Sequence, residues 1–207
     1  MDDLRLLARL NEETQPHHAD ADGDIDRYLF GANVTPADYR TYLSRTYGFI
    51  VPLESALTMA PGLEEHIDVK ARAKAALIVH DLLALGMSLH DVNQLPQCLS
   101  VPTFRGPAAA LGWMYVIERP LLSSAVIRGH LSNFLRAEMA CASAYLACYS
   151  GQVGAMWRDL GRAMERVAYT PAIADRIVFA AHDAFRVLAR WRTHDLQQPS
   201  SGIRIAG

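Results

Sequence analysis

Two adjacent histidines, His17 and His18, follow Thr14-Gln15-Pro16 near the start of the chain. A neutral imidazole is a good ligand for iron, and helices packed around a flat apolar cofactor are a known way to use one. A solvated helix end also accounts for such a pair, so residue type alone leaves both readings open. Pro16 removes one backbone donor just before them. His80 and His90 lack His-Glu-x-x-His spacing and read as core or surface residues. A di-iron carboxylate bundle would need two Glu-x-x-His pairs, and the sequence has none. The three cysteines, Cys98, Cys141 and Cys148, form no Cys-x-x-Cys motif. Cys141 and Cys148 are spaced for one helix face, as small core residues.

The elements that would position these groups read as helices. Leu4, Leu7 and Leu10 recur at helical spacing. Thr35-Pro36-Ala37-Asp38 is a helix start, with Thr as N-cap and Pro in the first turn, and the helix continues through Ile50. Pro52 is expected to bend or disturb it. A further helix is expected over 68–85, ending at Gly86, followed by a connection over 88–106. Pro107 opens another helix, interrupted near Pro120, and residues 121–149 are helical in pattern. Helices are then expected over 153–167 and, after a second Thr-Pro start at Thr170, to about residue 194. No β-branched alternation is bounded by hairpin turns. The expected architecture is all-α, one helical domain over residues 1–196 with a flexible tail over 197–207.

Composition narrows the function. A hydrophobic content of 51% in 207 residues supports a sizeable core. The formal net charge of −2 argues against a nucleic-acid partner. Nearly all the cationic groups are arginines, since Lys70 and Lys74 are the only lysines. Arginine suits carboxylate recognition, although a codon bias explains the count as well. No apolar run reaches the length of a membrane span, and no secretory signal pattern opens the chain. With the sparse cysteines, this gives the expectation of a cytoplasmic protein.

Several stretches, in order, resemble the bacterial biliverdin-producing heme oxygenases. Thr14, His18 and Asp22 fall at the spacing of the family's proximal helix, with Asp where Glu is usual. Val34-Thr35, Tyr39, Leu43, Tyr47, Phe49 and Leu53-Glu54 resemble the second long helix. Lys74-Ala75-Ala76-Leu77 with Asp81-Leu82 resembles a third. Thr170-Pro171-Ala172-Ile173 through Arg176, Ala180 and Ala184-Phe185 resembles the last. Leu111-Gly112 through Tyr115-Val116-Ile117-Glu118 to Ile127 corresponds to the distal helix, and points to the bacteriophytochrome-associated type.

The resemblance implies a helical bundle in which His18 is the axial ligand of heme iron and Thr14 supports it. Arg9, Arg158 and Arg162 are then candidates for the heme propionates, with Asn11 standing where a basic residue is usual. Phe185 would line the heme pocket. Heme would be both cofactor and substrate, converted with O2 and electrons from an external reductase or ferredoxin to biliverdin, CO and ferrous iron. The biliverdin would serve a bacteriophytochrome or, alternatively, the reaction would release iron. The distal helix departs from the family: Arg119-Pro120 and Ser123-Ser124 stand where Gly-Ser and Gly-Gly are usual. Ser123 and Ser124 are therefore expected at the distal face. Either turnover continues with altered geometry, or the chain is a catalytically impaired relative that binds heme or a protein.

Overall fold

The computed structural model of the protein describes residues 5–194, and every regular element among them is helical. Residues 1–4 and the expected tail over 197–207 lie outside the described residues. The helices are α1 (Arg5–Thr14), α2 (His18–Leu29), α3 (Pro36–Thr58), α4 (Ala75–Ala84), α5 (Leu89–Asn93), α6 (Pro107–Glu118), α7 (Ser124–Phe134), α8 (Arg136–Cys141), α9 (Val153–Val167) and α10 (Pro171–His194). None of them is long and apolar enough to cross a membrane.

Local chemistry sets the long helices. Thr35 accepts from the Asp38 amide at 3.2 Å, and Asp38 accepts from the Thr35 amide at 2.9 Å, a capping box with Pro36 in the first turn. Thr170 precedes Pro171 in the same way at the start of α10. Helix α4 ends where Gly86 takes φ 86°. There the Met87 amide bonds Leu82 O at 3.1 Å and the Gly86 amide bonds Leu83 O at 3.0 Å, the paired closure that a left-handed glycine permits.

Pro52 lies inside α3, which continues past it to Thr58, and the disturbance is confined to one backbone hydrogen bond. The missing N–H of Pro52 would have bonded Gly48 O. The Cys98 amide fills that place at 2.8 Å, donated from the connection before α6. Gly48 makes the approach possible, since a Cβ there would fall 2.3 Å from Pro96 O and 2.5 Å from the Trp191 ring.

Helix α6 is buried on all sides from Ala110 to Glu118 and runs along α10. A Cβ at Gly112 would sit 2.3 Å from Ile177 O and 2.9 Å from the Ala180 methyl. These are backbone and a short side chain with little freedom to yield. Gly112→Ala is therefore expected to destabilise the fold by about 1–3 kcal/mol. Chemical denaturation checks this, and an unchanged midpoint would mean that α6 and α10 separate easily.

Two further expectations are corrected. The helix expected over 68–85 begins only at Ala75, after a 3-10 turn at Lys70–Arg72. The Glu54 carboxylate from α3 accepts the Ala75 amide and caps α4 from outside. The stretch expected to be helical over 121–149 instead divides into α7, α8 and turns beyond Cys141. Buried Asp81 takes the Ala144 and Tyr145 amides, both at 2.9 Å, and the Tyr39 hydroxyl donates to Ala142 O at 2.9 Å. These partners compete with helical bonds. Cys141 and Cys148 consequently share no helix face: Cys141 is exposed and Cys148 half-buried, while Cys98 is in the core.

Candidate functional site

Pro16 lies in a 3-10 turn, Gln15–His17, that ends α1 and starts α2. The turn points the two histidines differently. His17 Nε2 lies 3.0 Å from His182 Nδ1 on α10, and its ring stacks on Phe185 at 5.7 Å and 16°. It anchors the turn. His18 is half-buried, with Nε2 3.1 Å from Thr14 Oγ1. Buried Thr14 donates its own proton to Leu10 O at 2.6 Å. Its oxygen therefore receives the His18 N–H, and the other ring nitrogen keeps a lone pair. That is the form a metal accepts, oriented by a second hydrogen bond. Phe185 packs against this ring as well, at 5.7 Å, and against Tyr115 at 6.3 Å.

Burial, then the Arg119 charge, holds the His18 imidazole below its ordinary value of 6.5. Burial and His17 lower His182 likewise. Unfolded histidine takes up a proton near 6.5, whereas these folded ones resist until a lower pH. The stability of the ligand-free protein is thus expected to fall as pH drops below about 6.5. Denaturation at pH 7.5 and 5.5 tests this; equal stability at both would contradict it.

On the same face of α2, one turn beyond His18, stand Asp22 and then Ile25 and Asp26. They form one wall of a cleft of about 370 Å³. The opposite wall is the 3-10 turn Arg119–Ser123 with Val126 and Ile127 of α7, closed at the side by Trp157 of α9 and Asn11 of α1. Apolar side chains (Ile25, Val126, Ile127, Trp157) share the lining with the charged Asp22, Asp26 and Arg119, and the volume lies in the range of small-molecule sites. The two walls are tied together: Arg119 donates Nη1 and Nη2 to Asp22 Oδ1 and Oδ2, at 2.9 and 3.0 Å.

The other residues proposed from sequence are distributed unevenly around this cleft. Ser123 lines it, exposed, while Ser124, the first residue of α7, is buried and does not line it. Arg9 is turned to Glu13 and Asp175, each at 2.6 Å. Arg162 lies 3.6 Å from Asp159, and Arg158 is exposed beside Trp157. Sequence reasoning left out Arg119 and Trp157 as site residues. Arg119 stood out only as an unusual residue in the distal segment, and Trp157 lies one position from Arg158, within the uncertainty of a helical turn.

His18, hydrogen-bonded to Thr14, stands one helical turn before Asp22 on the cleft wall and is not itself among the residues lining the cleft. The family model for heme oxygenase matches residues 4–193, and the chain belongs to that family. No curated protein matches the sequence in direct comparison. The residues present fit heme: an unprotonated imidazole for iron, apolar side chains for the macrocycle, and one guanidinium for its carboxylates.

Proposed function

We propose that this protein is a heme oxygenase in which His18 holds the heme iron and the cleft between α2 and the Arg119–Ser123 turn holds the macrocycle. The products are biliverdin, CO and ferrous iron, made with O2 and electrons from an external reductase or ferredoxin. The observation that carries this reading is the half-buried His18 imidazole, kept neutral and hydrogen-bonded by Thr14 one turn before the cleft wall.

Heme, as substrate, supplies both the iron at which O2 reacts and the ring carbon that is oxidised. The chain's residues orient and shield. Thr14 fixes the His18 ring plane, and Phe185 and Tyr115 back it. Ile25, Ile127 and Trp157 exclude water from the macrocycle faces. Ser123 presents the cleft with a hydroxyl that donates or accepts a hydrogen bond where oxygen chemistry takes place. We assign the biliverdin to a bacteriophytochrome as chromophore, with iron release as the other use of the same reaction.

Hemin titration followed by reductant-driven turnover on the same sample tests the reading. A stoichiometric Soret band that decays to a biliverdin spectrum supports it. A stable band identifies a heme carrier without turnover, and no band removes heme as the ligand. Because Ser123 lines the cleft and Ser124 does not, Ser123→Gly is expected to change the turnover rate several-fold, while Ser124→Gly changes mainly stability. Equal kinetics in all three proteins would show that the distal hydroxyl is a bystander.

A further inference from the structure

The inference here rests on heme as the ligand of the cleft. Asp22 and Arg119 face each other from opposite walls through two parallel charge-assisted bonds of 2.9 and 3.0 Å. Their side chains are only 33% and 18% exposed, so solvent screens the pair incompletely. Arg119 is the only cation among the described residues lining the cleft, which also carries the anions Asp22 and Asp26. A flat ligand entering between α2 and the turn has to part this pair, because the pair ties the two walls together. Leaving Arg119 unpaired with only 18% of its side chain exposed is costly. A guanidinium fork, however, fits any carboxylate in the geometry that Asp22 now satisfies.

We infer that Arg119 exchanges Asp22 for a carboxylate of the incoming ligand. The ion pair closes the cleft without ligand, and the same guanidinium then selects ligands that bring a carboxylate with them. Apolar planar molecules lacking one must break the pair with nothing in return. Arg119 is in this sense a specificity-determining residue, and Asp22 is its internal competitor.

The test compares equilibrium binding of hemin with that of hemin dimethyl ester, whose carboxylates are masked, to wild type, Asp22→Asn and Arg119→Gln. Iron-free protoporphyrin IX and its dimethyl ester are titrated in parallel, so that binding is read without an iron–histidine bond. Melting curves establish that each variant is folded. Wild type is expected to favour the free acids by about tenfold, and Asp22→Asn to bind the free acids about tenfold more tightly with that preference retained. Arg119→Gln is expected to bind acid and ester alike. An unchanged acid-to-ester ratio in Arg119→Gln, or no tightening in Asp22→Asn, overturns the exchange. So does a uniform change for acid and ester in both variants, which is what a merely structural ion pair would give. If the porphyrins follow the expected pattern but hemin shows no His18-dependent spectrum, the exchange stands and heme ligation falls. If none of the four ligands binds, both fall.

Discussion

Hemin added to His18→Ala gives no Soret spectrum of an axially ligated histidine complex, and turnover is lost. Removal of an outer-shell partner of a metal ligand typically lowers affinity by about 10–100-fold, and removal of the ligand itself is expected to exceed that. The neighbouring histidine offers no substitute. His17 Nε2 is engaged with His182 at 3.0 Å, and its ring is stacked on Phe185. Bringing it to the cleft would dismantle the turn that starts α2. Free imidazole added to the variant is expected to restore part of the spectrum, because the cleft walls are untouched. A wild-type spectrum in His18→Ala would remove the ligand assignment and direct attention to another residue. His17→Ala is the paired control: it is expected to keep the spectrum and lose some thermal stability.

Glu118→Ala is expected to cost about 3–5 kcal/mol of stability, a large share of the roughly 5–15 kcal/mol that holds a domain together. Glu118 is 2% exposed at the end of α6. Its carboxylate receives the wholly buried Lys74 Nζ at 2.7 Å and the Tyr149 hydroxyl at 3.1 Å, with Arg72 Nη1 at 3.2 Å. Arg72 retains Asp159 at 3.1 Å when Glu118 is gone. Lys74 retains the Arg72 carbonyl, at 2.7 Å, and the face of the Tyr149 ring, at 5.3 Å. A buried ammonium then loses its directly bonded carboxylate, and this is the source of the loss. Replacing both members, Glu118→Leu with Lys74→Met, is expected to be much milder than the single change, since neither charge is left alone. Chemical denaturation of the three proteins decides it. A single-variant loss under about 1 kcal/mol would mean that water reaches the cluster and screens it.

Burial also pushes the Tyr149 phenol upward, so it donates its proton to Glu118 across the whole working pH range. The cluster therefore fixes the last turn of α6, and the next residue in the chain is Arg119. The start of the Arg119–Ser123 turn is thus anchored by a buried cluster whose members do not line the cleft.

What could be read from the sequence divides by the distance over which it is decided. The helix starts at Thr35 and Thr170 depend on residues within one turn, and they are legible. The spacing of Thr14, His18 and Asp22 is equally local: each is one turn from the next, and the structure keeps them on consecutive turns around a short 3-10 segment. The late start of α4 and the break after Cys141 were not legible. Glu54 decides the first from 21 residues away and Asp81 the second from 63 and 64 residues away. Arg119 shows the same limit within the site. Its presence in the distal segment was visible, but its partner, 97 residues earlier in the chain, was not.

The Cys98 amide that occupies the place left by Pro52 constrains the chain's tolerance of length change. Surface connections usually accept insertions at small entropic cost, because their ends are all that must meet. The segment between α5 and α6 is pinned partway along, where one amide must reach Gly48 O while Pro96 lies against the bare face of Gly48. Residues added before Pro96 or after Cys98 can loop outward. A single residue inserted between them shifts the amide out of register with the carbonyl and leaves a helical acceptor unmatched inside the protein. This connection therefore behaves as part of α3 rather than as a spacer, and its length is fixed by a proline 46 positions earlier.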